Sequence, residues 1–420
     1  MKKRNSFYFI AVVIATNPII DMIYSIFGDT KIWLFSLNQL IRIVLLVLTV
    51  LFLKTARSRK QTLWLSLFLF LIIGIQKLNG VTGSLVSDIG FILKIIFGFA
   101  FLRLVLDEQE HNPNFYIDIR KAINISTLII FANIILGIFG FGSQTYTETS
   151  SRVNGYLGYL SGNLVTANSL LIIFAYYLYM SVAYKKRQDI LFSIVVFVSL
   201  FLLASKFSIF GSLVLLLIVF IVYEKNANSQ TRSKLLFGGF VLLIMSLFVL
   251  IPYSVKYIRG IVSEAQRYDY DFFTALTTNR FMQIDLIKKY GISLTTSNIH
   301  LIRLFGFSYS NTNQILNTAK ADFMAIELDF HGLYYYLGGI FAFAVIVYFL
   351  RLLKKGFIVF KKKDIKGEIS YLTVCLLLVG ALLGGHVLYE MTTLVYFAIP
   401  CGTVMSFYSR RRVVVIKQQV

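Results

Sequence analysis

Apolar residues run through this chain in blocks separated by short polar connectors. Each block is about 20 residues long, the length a helix needs to cross a hydrocarbon core of roughly 30 Å. The blocks fall at residues 7–27, 32–53, 62–78, 85–106, 122–141, 159–181, 189–204, 207–223, 235–253, 332–350, 369–389 and 394–409. That pattern predicts an all-α polytopic integral membrane protein with about 12 transmembrane helices. Only "ASKFS" divides the seventh block from the eighth, so a tight turn is expected there. The basic start and first apolar block show no small-residue cleavage site, and they read as a retained first helix.

The connectors orient the blocks. Lys and Arg gather in alternate ones: Lys2, Lys3 and Arg4; Arg57, Arg59 and Lys60; Lys185, Lys186 and Arg187; Lys354, Lys355 and Lys361 to Lys363; Arg410 to Arg412. An excess of Lys and Arg in short loops marks the cytoplasmic side, so both termini are expected there. One connector breaks the rhythm. Residues 254–331 form a loop far longer than the structureless connections of compact domains, and by parity it lies outside. Phe272, Phe273, Phe281, Leu286 and Ile287 recur in it at near-helical intervals, which predicts amphipathic helices on the membrane surface. The chain thus divides into 1–253 with nine spans, the 254–331 loop, and 332–420 with three spans and a basic tail.

Composition agrees with this reading. Hydrophobic residues make up 57% of the chain and charged residues 15%, with mean hydropathy +0.74. Soluble domains carry about 25% charged residues. The net charge of +21 would suit nucleic acid, but it is dispersed over connectors and forms no single basic face. Cys375 and Cys401 sit inside apolar blocks with no metal-ligand or disulfide spacing. Neither a metal nor a cofactor is expected.

Three outward places hold polar groups that topology does not require. In "SSRVNGYLGYLSGNLVTAN", Arg152 precedes three glycines, and Asn163 and Asn168 enter the sixth span. Glycines let a backbone approach a ligand closely, and an Arg grips phosphate oxygens in two-pronged fashion. A loop with one solvated Arg would look similar. In "LLASKFSIFG", Lys206 occupies the minimal turn; snorkelling to the interface accounts for it equally well. In the long loop, Arg280 follows "LTTN" and opens an amphipathic stretch, Arg303 precedes "LFGFS", and Glu327, Asp329 and His331 crowd the start of the tenth span. Neighbouring carboxylates raise each other's pKa and His titrates near neutrality, so the trio suits proton transfer. A solvated helix end is the plainer alternative. Asp269 and Asp271 in "YDYDFF" resemble the metal-binding acids of enzymes that use nucleotide sugars, but those substrates are cytoplasmic and this loop is expected outside.

In order and topology the chain resembles the O-antigen polymerase/O-antigen ligase superfamily of bacterial envelope proteins, most closely the Wzy-type polysaccharide polymerases of capsule and exopolysaccharide clusters. "NPIIDMI", "RVNGYLGYLSGN", "LLASKFSIFG", Arg280, "RLFGFS" and "ELDFHGLYYYLGGIFA" carry the resemblance, with the large outer loop before the last spans. It implies a multi-pass enzyme of the bacterial cytoplasmic membrane. The enzyme would join undecaprenyl-pyrophosphate-linked oligosaccharides on the outer face by inverting, metal-independent glycosyl transfer. Partners implied are membrane lipid, a chain-length regulator and a flippase. Under that resemblance Arg152 and Arg280, supported by Lys206, would stabilise the pyrophosphate leaving group, while Asn163, Asn168 and Arg303 would bind substrate. Glu327, Asp329 or His331 would take the acceptor proton. Family spacing favours Glu327, and titration range favours His331. Tyr309 and Tyr334 to Tyr336 would stack on sugars, or simply form an interfacial aromatic belt. A ligase moving finished polysaccharide to another acceptor uses the same chemistry. A flippase is the alternative from another class, and it would predict internal repeats, which are not visible here.

Overall fold

The computed structural model describes residues 2–27, 31–32, 35–144, 155–224, 280–294, 299–318, 326–361 and 364–419, with single positions 255, 259 and 262. Nearly all of these are helical. In chain order the helices are α1 (Lys2–Phe27), α2 (Leu37–Phe52), α3 (Ala56–Leu78), α4 (Leu85–His111), α5 (Phe115–Asp118), α6 (Arg120–Ile138), α7 (Asn163–Tyr184), α8 (Arg187–Leu202) and α9 (Lys206–Glu224). Then follow α10 (Arg280–Leu294), α11 (Ile299–Phe305), α12 (Tyr309–Thr318), α13 (Asp329–Phe360), α14 (Ile365–Leu383) and α15 (Met391–Gln419). Two short antiparallel ladders, Lys31–Ile32 with Phe35–Ser36 and Ser143–Gln144 with Tyr156–Gly158, tie connectors together.

Eight described helices are long and apolar enough to cross a membrane: α1, α3, α4, α6, α7, α13, α14 and α15. The α2 and α9 helices contribute shorter apolar stretches, α8 has 16 residues, and the expected ninth span at 235–253 lies outside the described residues. Helices α4, α7 and α15 are largely enclosed, and α15 packs most extensively along α4. Leu51, Trp64, Leu67, Leu71, Phe343 and Leu350 project outward from the peripheral helices. Such a large exposed apolar surface marks a lipid-facing wall. The turn between α8 and α9 is as tight as "ASKFS" suggested, with Ala204 in the left-handed region (φ 53°).

Two span boundaries differ from the sequence expectation. Residues 31–32 and 35–36 pair as a ladder, and α2 starts only at Leu37. More consequentially, the block read as 369–389 stops at Leu383. Gly385 (φ 72°) and His386 (φ 63°) are both left-handed there, a conformation that ends a right-handed helix. The resulting 384–390 segment is irregular although it is bounded by two apolar helices.

Inter-helix contacts sort the connectors into two ends. At one end lie the basic connectors, anchored by buried carboxylates. Glu108 pairs with Lys54 (2.6 Å), Asp107 accepts from Ser58 (3.1 Å), and Arg120 pairs with Asp189. At the other end lie the 384–390 segment, the 155–162 turn, the α3–α4 connector and α10 to α12. There α13 bends at Gly338 (φ 84°, ψ 171°), where the turn after α11 inserts. The Phe307 N–H donates to the Tyr335 carbonyl (2.7 Å), and Gln76 from α3 donates to the carbonyls of both Phe305 and Tyr336. A side chain at position 338 would collide with the Leu304 carbonyl, so only glycine permits this approach.

Candidate functional site

The site is built around the 384–390 segment "GGHVLYE". Asp329, at the start of α13, is fully buried, and its carboxylate accepts three backbone N–H groups: His386 at 2.7 Å, Val387 at 2.8 Å and Leu388 at 2.9 Å. Asn168 of α7 donates its amide to the carbonyls of Gly385 (3.2 Å) and His386 (3.4 Å). Gly385 lies flat against the Glu327 carbonyl with no room for a Cβ. The segment is therefore pinned from both sides with His386 held in a conformation that non-glycine residues rarely adopt. Such backbone strain persists only where the surroundings over-determine it.

Two ion pairs flank this segment. On one side the Arg280 Nε donates to Glu327 at 2.5 Å and its Nη1 to the Leu383 carbonyl at 3.0 Å. The Glu327 N–H donates to Gln283 Oε1 (3.1 Å), so α10 holds both the cation and the backbone of its partner. Arg280 is 14% and Glu327 32% exposed, so this pair borders solvent. On the other side Lys94 of α4 donates to Glu390 at 3.2 Å. Arg42 of α2 faces the same carboxylate. It is 7% exposed, its Nε has no hydrogen-bond partner among the described residues, and its guanidinium lies 5.7 Å from the Tyr24 ring centre.

The electrostatics follow. Burial alone would push Glu390 up, but Lys94, His386 and Arg42 outweigh it and hold the carboxyl below its ordinary value. Burial holds the His386 imidazole below its ordinary value, opposed by Glu390 and Glu327 and reinforced by Arg280 and Lys94. His386 thus stands between the two ion pairs, with its Nδ1 buried and unpartnered among the described residues. Depth sharpens the picture. At 1.5 Å per residue, Lys94 lies about 14 Å below Leu85, close to half of a 30 Å core. A charge at that level costs about 2.5–3.5 kcal/mol on insertion scales, so it lines a cavity or serves a function.

The "NPIIDMI" stretch completes the wall. Asp21 accepts from the Ser161 N–H (3.0 Å), from the Ser161 hydroxyl and from Thr392 (3.1 Å), and Asn17 donates to the Thr392 carbonyl (2.9 Å). Tyr309 stacks on Phe91 at 4.7 Å beside Tyr336, forming an aromatic flank.

The structure treats the residues singled out from the sequence differently. Arg280 and Glu327, expected to play separate parts, form one pair. Asp329 places its carboxylate on three backbone donors and so positions the segment. Asn168 is buried and donates its amide N–H groups to the same segment, so it clamps the backbone there. Asn163 begins α7, partly buried, two residues after Ser161. His331 lies in the first turn of α13 within reach of the Lys288 charge. Arg303 is exposed in the last turn of α11 and makes no ion pair among the described residues. Lys206 opens α9 at this end, but its side chain, like all of Arg152, lies outside the described residues. Sequence reasoning missed His386, Glu390 and Arg42, and Lys94 lies inside the fourth apolar block. The signal was present in the Gly-Gly pair before His386 and in two cations within apolar blocks.

No family model matches the chain, and no curated protein matches it.

Proposed function

We propose that this is a glycosyltransferase of the bacterial cytoplasmic membrane that polymerises oligosaccharide units carried on undecaprenyl pyrophosphate, working at the outer face. Under this reading the chain has about 12 spans with both termini in the cytoplasm. The gathering of basic connectors at the end opposite the 384–390 segment supports that orientation. One observation carries the functional reading: Arg42 and Lys94 converge on Glu390 within the bundle, one segment away from the Arg280–Glu327 pair. Three cations gathered around one segment favour an anion that enters there, and a lipid pyrophosphate supplies the charge together with an apolar tail.

The residues divide the chemistry. The acceptor hydroxyl oxygen attacks the anomeric carbon from the face opposite the pyrophosphate, its bond forming as the carbon–oxygen bond to the pyrophosphate breaks. The leaving lipid pyrophosphate keeps the electron pair, and Arg280, Arg42 and Lys94 stabilise the charge that develops on it. Glu327 takes the hydroxyl proton; Arg280 engages Oε2 and leaves Oε1 for the acceptor. No step needs a metal.

A second reading deserves the same test. Cations at membrane depth and the irregular backbone at 384–390 also suit a transporter of the lipid-linked unit. Deleting the gene and sizing the lipid-linked and surface glycans separates the readings. Single units without long chains support polymerisation. Long chains stranded on lipid indicate a ligase, and units trapped inside indicate a flippase.

A further inference from the structure

Asp88, Phe91 and Lys94 follow one another at every third residue of α4 and form a slanting ridge across it, one turn per step. Each member holds a different partner. Asp88 pairs with Lys77 (3.0 Å) and accepts the Ser310 N–H beside the start of α12 (2.8 Å). Phe91 stacks flat on the Tyr309 ring, with 4.7 Å between centres and 5° between planes. Lys94 pairs with Glu390. Thr82 of the α3–α4 connector adds a hydrogen bond to Asn311 (2.9 Å). The ridge thereby fixes α12 in register with the Lys94–Glu390 pair. Phe91, under Tyr309, stands about 4.5 Å from Lys94 along the helix axis, on the side of the α3–α4 connector.

This packing changes what Tyr309 can do. Phe91 covers one face of its ring and Tyr336 meets it edge-on at 5.1 Å, so that face is closed to stacking on a sugar. The hydroxyl is the working end. Asn313, one turn further along α12, hydrogen-bonds it, and the charges of Glu390 and Arg42 reach it together with the Tyr24 hydroxyl. A phenol has both a donor and an acceptor to offer, so one hydrogen bond leaves capacity for another partner. The neighbourhood is accessible: Tyr24 is exposed, Tyr309 is partly buried, and the Glu390 and Lys94 side chains are 23% and 13% exposed.

We infer that Tyr309, its hydroxyl oriented by Asn313, selects the substrate by hydrogen-bonding the sugar joined directly to the pyrophosphate, an inference that rests on the polymerase reading. With the pyrophosphate at Lys94 and Arg42, the next group along the substrate is that sugar, and the next polar group outward along the ridge is the Tyr309 hydroxyl. The charges favour a neutral partner at this level. An anion beside Tyr309 would stand between the carboxylates of Asp88 and Glu390, whereas a sugar hydroxyl meets no such repulsion. Asp88 and Phe91 hold α12 at the height of the first sugar, so Tyr309 acts from a fixed base.

The test uses the full chain in detergent, supplied with the lipid-linked units extracted from a strain lacking the gene, and with sugar-free undecaprenyl pyrophosphate as inhibitor. Tyr309→Phe keeps the stack on Phe91 and removes only the hydroxyl, so it should melt as the wild type does. It should raise KM for the units about fivefold, the worth of one neutral hydrogen bond, with kcat unchanged. Inhibition by undecaprenyl pyrophosphate should not change. Asn313→Ala should raise KM in the same direction, and the double variant should be no worse than Tyr309→Phe, because Asn313 acts through the hydroxyl. An unchanged KM in Tyr309→Phe, or additive losses in the double variant, overturns the inference. Equal weakening of the units and of undecaprenyl pyrophosphate would make Tyr309 a phosphate contact and overturn it too. A wild type that neither extends the units nor responds to undecaprenyl pyrophosphate overturns the polymerase reading itself, and the inference with it.

Discussion

Replacing Asp329 by Asn tests whether this carboxylate is an architectural clamp. The native carboxylate accepts three backbone N–H groups at 2.7–2.9 Å inside the protein. Hydrogen bonds to charged acceptors contribute about 1.5–3 kcal/mol each, and an unsatisfied buried donor costs about 1–3 kcal/mol. Asn keeps one acceptor oxygen, able to serve the His386 amide, but turns an NH2 toward the Val387 and Leu388 donors. Losing two of three bonds, with Asn168 still clamping the segment, comes to about 3 kcal/mol of local stability. At 1.4 kcal/mol per tenfold, that is about a hundredfold faster opening of the segment. Hydrogen–deuterium exchange resolved over 384–390 is the assay. Amides 386–388 should exchange about a hundredfold faster, while those of α4 keep their protection. Unchanged exchange at 386–388, together with lost activity, would refute the reasoning and return Asp329 to the role of proton acceptor.

Four further outcomes follow from the same geometry. Lys94→Met should leave Glu390 underpaired and lower the melting temperature, and Lys94→Met with Glu390→Gln should recover part of the loss; a double-mutant cycle should give a coupling of about 1–3 kcal/mol. Gly338→Ala should destabilise the protein by several degrees, because φ 84° and the Leu304 carbonyl both oppose a Cβ; a normal melt would mean the α13 bend is dispensable. Acidification should remove stability in two stages. His386 is held below its ordinary 6.5, so the unfolded chain gains a proton first and stability falls from about pH 6.5 downward. Glu390 is held below 4.5, so its contribution is present above that pH and is lost as pH falls through its lowered value. His386→Asn, which tolerates the left-handed backbone, should erase only the upper stage in melts recorded against pH. Arg280→Ala should abolish chain growth in the glycan ladder while the protein still inserts, and polymer of normal length would remove Arg280 from the mechanism.

The helices were legible in the sequence because burial in lipid and burial in a bundle leave the same mark, an unbroken apolar run. The sequence also showed where α8 turns into α9, since Ser205 and Lys206 interrupt that run. It did not show that α14 stops at Leu383. The residues that follow, "GGHVLYE", are apolar enough to extend the block, and only the backbone conformation of Gly385 and His386 ends it. Nor could periodicity reveal that Glu390 meets Lys94 or that Arg280 meets Glu327. Those partners lie 296 and 47 residues apart, and nothing local in either stretch encodes the meeting. Glu327, Asp329 and His331 were visible as a cluster, yet alternation along the chain sends them to three environments: a paired carboxylate at the solvent border, a buried clamp, and a half-buried ring beside Lys288.

The 384–390 segment links the two ion pairs mechanically as well as in space. Its first neighbour, the Leu383 carbonyl, holds Arg280, and its last residue, Glu390, holds Lys94. Under the proposed function, an anion arriving beside Glu390 would compete with it for Lys94 and Arg42, and a displaced Glu390 would be left as a poorly solvated charge. Two groups can absorb that cost. His386 can take up a proton, since Glu390 and Glu327 both favour its charged form; alternatively, the carboxylate can withdraw toward solvent, where it is already 23% exposed. Asp329 and Asn168 fix the backbone of 385–388, so either response moves side chains and leaves the frame in place. The clamp and the ion pair therefore have separable roles: Asp329→Asn should loosen the frame with the Lys94–Glu390 pair kept, whereas Glu390→Gln should remove that pair within an intact frame. Exchange at 386–388 should respond to the first substitution and not to the second, and a response to both would show that the ion pair, and not the clamp, holds the segment.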